Sequence, residues 1–122
     1  MKIIINDHRK INAIQEEFNE FFPYLKLEFM AKPHGTSSAP PVKLIRSNTK
    51  TLGECRTLHN KGTLTITPGM SGAELEEGFR DIYGLTIRLY RKSGKEWLGI
   101  TSTDKWTLQQ QNDQGKALST LV

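Results

Sequence analysis

Cys55 and His59 stand four residues apart, the spacing of one helical turn. These residue types can pair as nucleophile and base, or share a metal ion. A structural zinc site takes four protein ligands, however, and only His8 and His34 remain as nitrogen donors, one near the first helix and one in a loop. A cysteine–histidine nucleophile also needs an orienting group and an oxyanion hole, and no residue pattern supplies them. Cys55 therefore reads better as a small buried hydrophobe, and a cysteine-dependent enzyme is the most distant reading. No catalytic residue, metal or cofactor is assigned.

Gly69-Met70-Ser71-Gly72 leads from a strand into a helix N-terminus, a geometry that can hold a phosphate. Glu74, Glu76 and Glu77 already place negative charge there and repel an anion. The lysine and full glycine spacing of a phosphate-binding loop are absent. The paired carboxylates Glu16-Glu17 and Glu76-Glu77 fall on predicted solvent faces and read as helix solubilisers.

The elements that position these residues repeat. Residues 3–5 form an apolar first strand. From Arg9 to Phe22, Ile11, Ile14, Phe18, Phe21 and Phe22 recur at helical spacing, and Pro23 stops the helix. Leu25, Leu27 and Phe29 then alternate with Lys26, Glu28 and Met30, the pattern of a half-buried strand. Later, Leu64 and Ile66 alternate with threonines. Ser71-Gly72-Ala73-Glu74 is a capping box, and Leu75, Phe79, Ile82 and Tyr83 share one helix face. Gly84 supplies the helix stop, and Leu85, Ile87 and Leu89 alternate with Thr86, Arg88 and Tyr90. At a shift of 61 residues Ile3 falls on Leu64, Phe18 on Phe79 and Phe21 on Ile82. Beyond the helix the shift is 60, and Leu27 falls on Ile87.

Two strand–helix–strand units in series predict an α+β fold, a ferredoxin-like βαββαβ sandwich with both helices on one face of one antiparallel sheet. A hairpin on Ser93-Gly94 adds a fifth strand, with Leu89 opposite Leu98, Ile87 opposite Ile100, Tyr90 opposite Trp97 and Arg88 opposite Gly99. The chain is one domain, 1–122: a βαβ unit at 1–32, an insert at 33–62, a βαβ unit with hairpin strand at 63–103 and a C-terminal segment at 104–122. The insert opens on the irregular Pro33–Pro41 stretch, continues through a short strand at Val42-Lys43-Leu44-Ile45, and has a Thr51-x-x-Glu54 cap opening a helical turn through Cys55 and Arg56. One or two helical turns are expected over Trp106–Asn112.

Strand alternation then sets the open face of the sheet: Ile4, Lys26, Glu28, Met30, Thr63, Thr65, Arg88, Tyr90 and Trp97. Aromatic rings beside lysine and arginine on an open sheet can stack and hold single-stranded bases. Lys61-Gly62 opens the third strand as the basic-glycine start of the RNA-recognition signature does, but the stacking aromatic is missing there, and Ile4 stands where the first strand needs one. The favoured reading is a non-enzymatic binding or assembly module, a homo-oligomer using Lys26, Met30, Arg88, Tyr90 and Trp97, or a face covered by Trp106, Leu108 and the tail. The alternative is single-stranded nucleic acid or polyanion binding on that face together with a basic patch in the insert, Lys43, Arg46, Lys50 and Arg56.

Gly84-Leu85, Arg91-Lys92-Ser93-Gly94, Trp97-Leu98, Thr103-Asp104-Lys105-Trp106-Thr107-Leu108 and Gln111-Asn112 together resemble the ending of a group of small uncharacterised bacterial proteins. The resemblance covers roughly a third of the chain and implies no activity, cofactor or partner.

Composition bounds these readings. Hydrophobic residues at 36% and charged residues at 25% are globular proportions. The net charge of +4 is uneven: residues 32–62 carry six Lys/Arg against one Asp/Glu, and residues 63–84 carry one against four. There is no apolar run long enough to span a membrane and no signal-peptide pattern, and a single cysteine excludes an intrachain disulfide. Together these point to the cytoplasm.

Overall fold

A computed structural model describes residues 1–31, 43–45, 49–101 and 103–120. The Pro33–Pro41 stretch, Val42, Arg46 and the last two residues of the tail lie outside them. The architecture is α+β, in the order β1 (Lys2–Ile5), α1 (Ile11–Phe21), β2 (Leu25–Ala31), β3 (Lys43–Leu44), a 3-10 turn (Leu52–Cys55), β4 (Gly62–Thr65), α2 (Gly72–Tyr83), β5 (Thr86–Ser93), β6 (Glu96–Gly99) and α3 (Leu108–Thr120).

The strands do not join into the expected single sheet. β1 pairs with β4 in a two-stranded ribbon, and β3-β2-β5-β6 form a separate four-stranded sheet, with every pairing antiparallel. Each strand–helix–strand unit therefore places its first strand in the ribbon and its second in the larger sheet. Between them lies one core, in which Ile3, Ile5, Ile14, Phe18, Leu25, Leu27, Phe29, Ile66, Leu75, Phe79 and Leu89 have almost no exposed surface.

The two units pair counterpart with counterpart. Ile3 faces Leu64 across the ribbon, and Glu28 faces Arg88 across the β2–β5 ladder. These are the pairs matched by the sequence shifts of 61 and 60. The ribbon and the main ladder thus each cross at a counterpart pair, the register that a two-fold relation between the units requires. Gln15 on α1 donates to Glu28 at 3.0 Å, and its counterpart Glu76 on α2 lies within electrostatic reach of Arg88.

Local chemistry explains each helix end. Ser71 Oγ accepts from the Glu74 amide at 3.1 Å, and α2 stops at Gly84, whose φ of 64° is a left-handed conformation that suits glycine. Lys10 offers α1 no side-chain cap, and the Lys50 carbonyl accepts the Ile11 amide at 2.9 Å instead. On the outer edge of β2, the carbonyls of Leu25, Leu27 and Phe29 accept from the Asn19 amide group, the Gln15 amide group and the Ile45 backbone N–H respectively. Helix α1 thereby occupies a sheet edge that would otherwise carry bare acceptors.

The hairpin register differs from expectation by two residues. Ser93 pairs with Glu96 and Lys92 with Trp97, so the two-residue loop is Gly94-Lys95. Gly94 has φ 64° and Lys95 does not have positive φ, the pattern of a type II′ turn, which places glycine first. A shift of two preserves which face each residue occupies, but Leu98 now lies opposite Arg91, at the sheet margin, and is exposed. Phe21 and Ile82, a counterpart pair expected in the core, are also exposed, because each sits at the margin of its helix stripe.

The C-terminal segment forms a full 13-residue helix. Thr107 and Gln110 cap it reciprocally: Thr107 Oγ1 accepts the Gln110 amide at 3.1 Å and Gln110 Oε1 accepts the Thr107 amide at 2.9 Å. α3 docks through polar groups. Gln111, fully buried, accepts from Arg91 at 2.9 Å and donates to the Thr103 carbonyl at 2.6 Å, and Asn112 accepts the Tyr24 amide at 2.9 Å. Gly115 lets the helix approach closely, since a Cβ there would lie 2.8 Å from Tyr24 Cβ and 3.1 Å from Arg91 Cγ. Gly115→Val is expected to lift α3 from the sheet, read as faster amide exchange in 108–120 with β2 and β5 still protected. Uniform protection across helix and sheet would contradict this account of the docking.

Candidate functional site

Two surfaces bring chemistry-bearing side chains together. The first is the face of the four-stranded sheet turned away from the core. Lys26 faces Tyr90 across the β2–β5 ladder, and Lys92 faces Trp97 across the β5–β6 ladder. The Lys26 ammonium lies 5.8 Å from the Tyr90 ring centre and 5.7 Å from that of Trp97, and the Lys92 ammonium lies 5.7 Å from Trp97. Trp97 thus has two cations over its indole, an arrangement stabilised by the negative potential of the ring face. Tyr90 rests beside Gly99, where a Cβ would meet its ring at 3.8 Å.

Glu28 is the carboxylate of this face, and it is already engaged. Lys26 pairs with it at 3.1 Å and Gln15 donates to it at 3.0 Å. Arg88 is exposed beside them. Among the described strand residues of this face, Lys26, Arg88 and Lys92 outnumber Glu28, while Glu76 of α2 lies within electrostatic reach of Arg88.

Among the residues assigned to an open face by alternation, Lys26, Glu28, Arg88, Tyr90 and Trp97 do come together here. Ile4, Thr63 and Thr65 do not, because they belong to the separate ribbon. Met30 lies on β2 but is only 8% exposed. Trp106 and Leu108 do not cover the face. Trp106 stacks on Arg91 at 5.7 Å, Leu108 enters the core, and Arg91 alternates with Tyr90 and so projects to the opposite side of the strand. Lys92 was missed by sequence reasoning. It shares parity with Tyr90, and only the corrected hairpin register brings it to Trp97.

Of the basic patch expected in the insert, Arg56 departs from expectation. Lys50 is exposed, while Arg46 and the Lys43 side chain lie outside the described structure. Arg56 is no surface cation, because its side chain has no exposed surface. It belongs to the second cluster. Its guanidinium donates to Asp7 at 2.8 Å and to the Tyr83 carbonyl at 2.9 Å, tying the end of β1 to the last turn of α2. His59 Nδ1 lies 2.9 Å from the other Asp7 oxygen. The hydrogen bonds from His59 and then from Arg56 hold the Asp7 carboxyl below its ordinary value of 3.8.

This cluster separates His59 from Cys55. The 3-10 turn ends at Cys55, and Arg56 is already extended at φ −146°, ψ 160°, so the spacing of four does not span a helical turn. Cys55 packs against the core, and burial pushes its thiol up, which keeps it protonated and weakly nucleophilic. Thr51 gives its backbone, not its hydroxyl, to the turn and bridges to Lys10. Among the described residues no group of three His, Cys, Asp or Glu is placed to hold a metal ion, and no helix is long and apolar enough to cross a membrane.

Compared with known proteins, the chain matches no family model, no curated protein and no solved structure.

Proposed function

We propose that the protein is a binding module that takes a single-stranded nucleic acid on the outer face of its four-stranded sheet. The observation that carries this reading is Trp97, an aromatic platform with the Lys26 and Lys92 ammonium groups 5.7 Å from its ring. Such a face combines a stacking surface for a base with cations for the flanking phosphates. Arg88 extends the positive surface along β5.

Self-association through the same face is the weaker reading. With Ile4 on the ribbon and Met30 buried, the apolar content of this face shrinks to two rings, Tyr90 and Trp97. A two-fold dimer through this face would also bring two copies of Lys26, Arg88 and Lys92 into one interface with only two copies of Glu28 from the same strands to offset them. Light scattering on wild type and Trp97→Glu separates the readings, since a concentration-dependent dimer lost in the variant would favour self-association.

The direct test is a titration of a labelled single-stranded oligonucleotide at two salt concentrations. Affinity is expected to fall with salt, and Trp97→Ala to weaken binding by about tenfold or more through lost stacking. Lys92→Ala should flatten the logarithmic salt slope by roughly 0.7. Absence of binding at low salt would end the nucleic-acid reading.

A further inference from the structure

We infer that the surface joining the two strand–helix–strand units also accepts the same unit of a second copy of this chain, giving an exchanged dimer. The inference is independent of the ligand face. It rests on which contacts lie within a unit and which lie between units.

Within the first unit, β1 and β2 do not pair with each other. The ladder partner of β1 is β4, and β2 pairs with β5 and with the two residues of β3. Within the second unit, β4 and β5 are likewise apart. The unit-to-unit contacts therefore include both long ladders, the edge-to-face contact of Phe29 with Phe79 at 5.9 Å, and the reach of Arg56 to the Tyr83 carbonyl. Neither unit forms a sheet of useful size on its own, and each is completed by the other.

The joining surface is arranged as in a symmetric homodimer. Counterpart strands cross at Ile3–Leu64 and at Glu28–Arg88, so the chain meets itself in the self-complementary manner of a two-fold interface. Every bond across it would be reproduced if residues 62–120 came from a second molecule. The connection that would have to open is short. Thr57, Leu58, His59, Asn60 and Lys61 are all exposed, between Arg56, fixed on Asp7, and Gly62, the first residue of β4.

The ribbon supplies a test that distinguishes exchange from any face-to-face association. Met1 and Ile66 exchange both backbone hydrogen bonds at 2.8 Å, which makes Ile4–Thr63 a non-hydrogen-bonded pair with closely placed Cβ atoms. Both residues are exposed, and a disulfide fits such a pair. The chain carrying Ile4→Cys, Thr63→Cys and Cys55→Ser is unfolded, refolded under oxidising conditions at dilute and at high concentration, and run on a non-reducing denaturing gel.

Dilute refolding is expected to give a monomer with an internal crosslink, and concentrated refolding a covalent dimer with the circular dichroism of the monomer. A crosslinked monomer alone at both concentrations overturns the proposal, since association without exchange leaves each disulfide within one chain. Free thiols at both concentrations also overturn it, because they contradict the ribbon register. A second variant lacking Leu58, His59 and Asn60 is expected to be dimeric even when dilute. A folded monomer would overturn the proposal equally, and the crosslinking result decides if that variant does not fold.

Discussion

Truncation of Phe79 to alanine is expected to cost about 3–5 kcal/mol, a large share of the stability of a domain this size. Phe79 is fully buried on α2, and its ring meets Phe29 of β2 edge to face at 5.9 Å. It therefore ties the helix of one unit to a strand of the other, and the void left behind would be walled by core residues of both. Its counterpart Phe18 is equally buried on α1, but its ring contact is with Phe22, in its own unit, at 5.4 Å. Phe18→Ala should cost a similar amount by area. Phe79→Ala should lose about 0.5–1.5 kcal/mol more than burial alone accounts for, and the Phe29–Phe79 double-mutant cycle should return that coupling. Urea unfolding of the single and double variants measures it. Zero coupling would show that the contact holds nothing between the units.

The second large effect belongs to Arg56. Arg56→Met removes a guanidinium with no exposed surface, stranding the Tyr83 carbonyl and leaving Asp7 to water and His59. The expected loss is about 2–3 kcal/mol, with a fall in Tm on the order of 10 °C. The partner variant Asp7→Asn gives a pH signature. The native carboxyl of Asp7 titrates below its ordinary value, so its contribution is present above pH 3.8 and is lost as pH falls from there through the depressed native value. Wild type should therefore exceed Asp7→Asn in stability near neutrality and converge on it in acid. Parallel stability curves across that range would remove Asp7 from the account.

The units themselves were legible. The apolar periodicities of residues 11–22 and 72–83, the Ser71 cap, the Gly84 stop and the alternation of Leu25–Phe29 and Leu85–Leu89 each encode a local structure. The structure forms α1, α2, β2 and β5 there. What could not be read was which strand meets which, because a ladder between residues some sixty positions apart leaves no local signal, and two βαβ units are compatible with one sheet or with two. The hairpin went astray through its turn: Ser93-Gly94 and Gly94-Lys95 are both acceptable loops, and backbone twist decides between them. Helix α3 was underestimated for another reason. It buries Gln111 and Gly115 beside Leu108, so its inward face carries no apolar stripe. A signal did exist in Thr107-x-x-Gln110, a capping box of the same kind as that at Ser71. Arg56 was misplaced because composition counts a guanidinium as surface charge, and only a distant carboxylate and carbonyl make it internal.

The pairing of counterpart strands has a consequence for the order in which the molecule can assemble. The ribbon joins Ile3 to Leu64 and the main ladder joins Leu27 to Leu89, so each of these two ladders must close a loop of about sixty residues before its first hydrogen bond forms. Helices α1 and α2 can flicker into being early, but the sheets wait. During synthesis on a ribosome, β1 emerges with no ladder partner, and β2 with only the two residues of β3, until residues 62–93 have followed. For that interval the outer edge of β2 is protected by the uncharged amides of Gln15 and Asn19 on the neighbouring helix and by the Ile45 N–H.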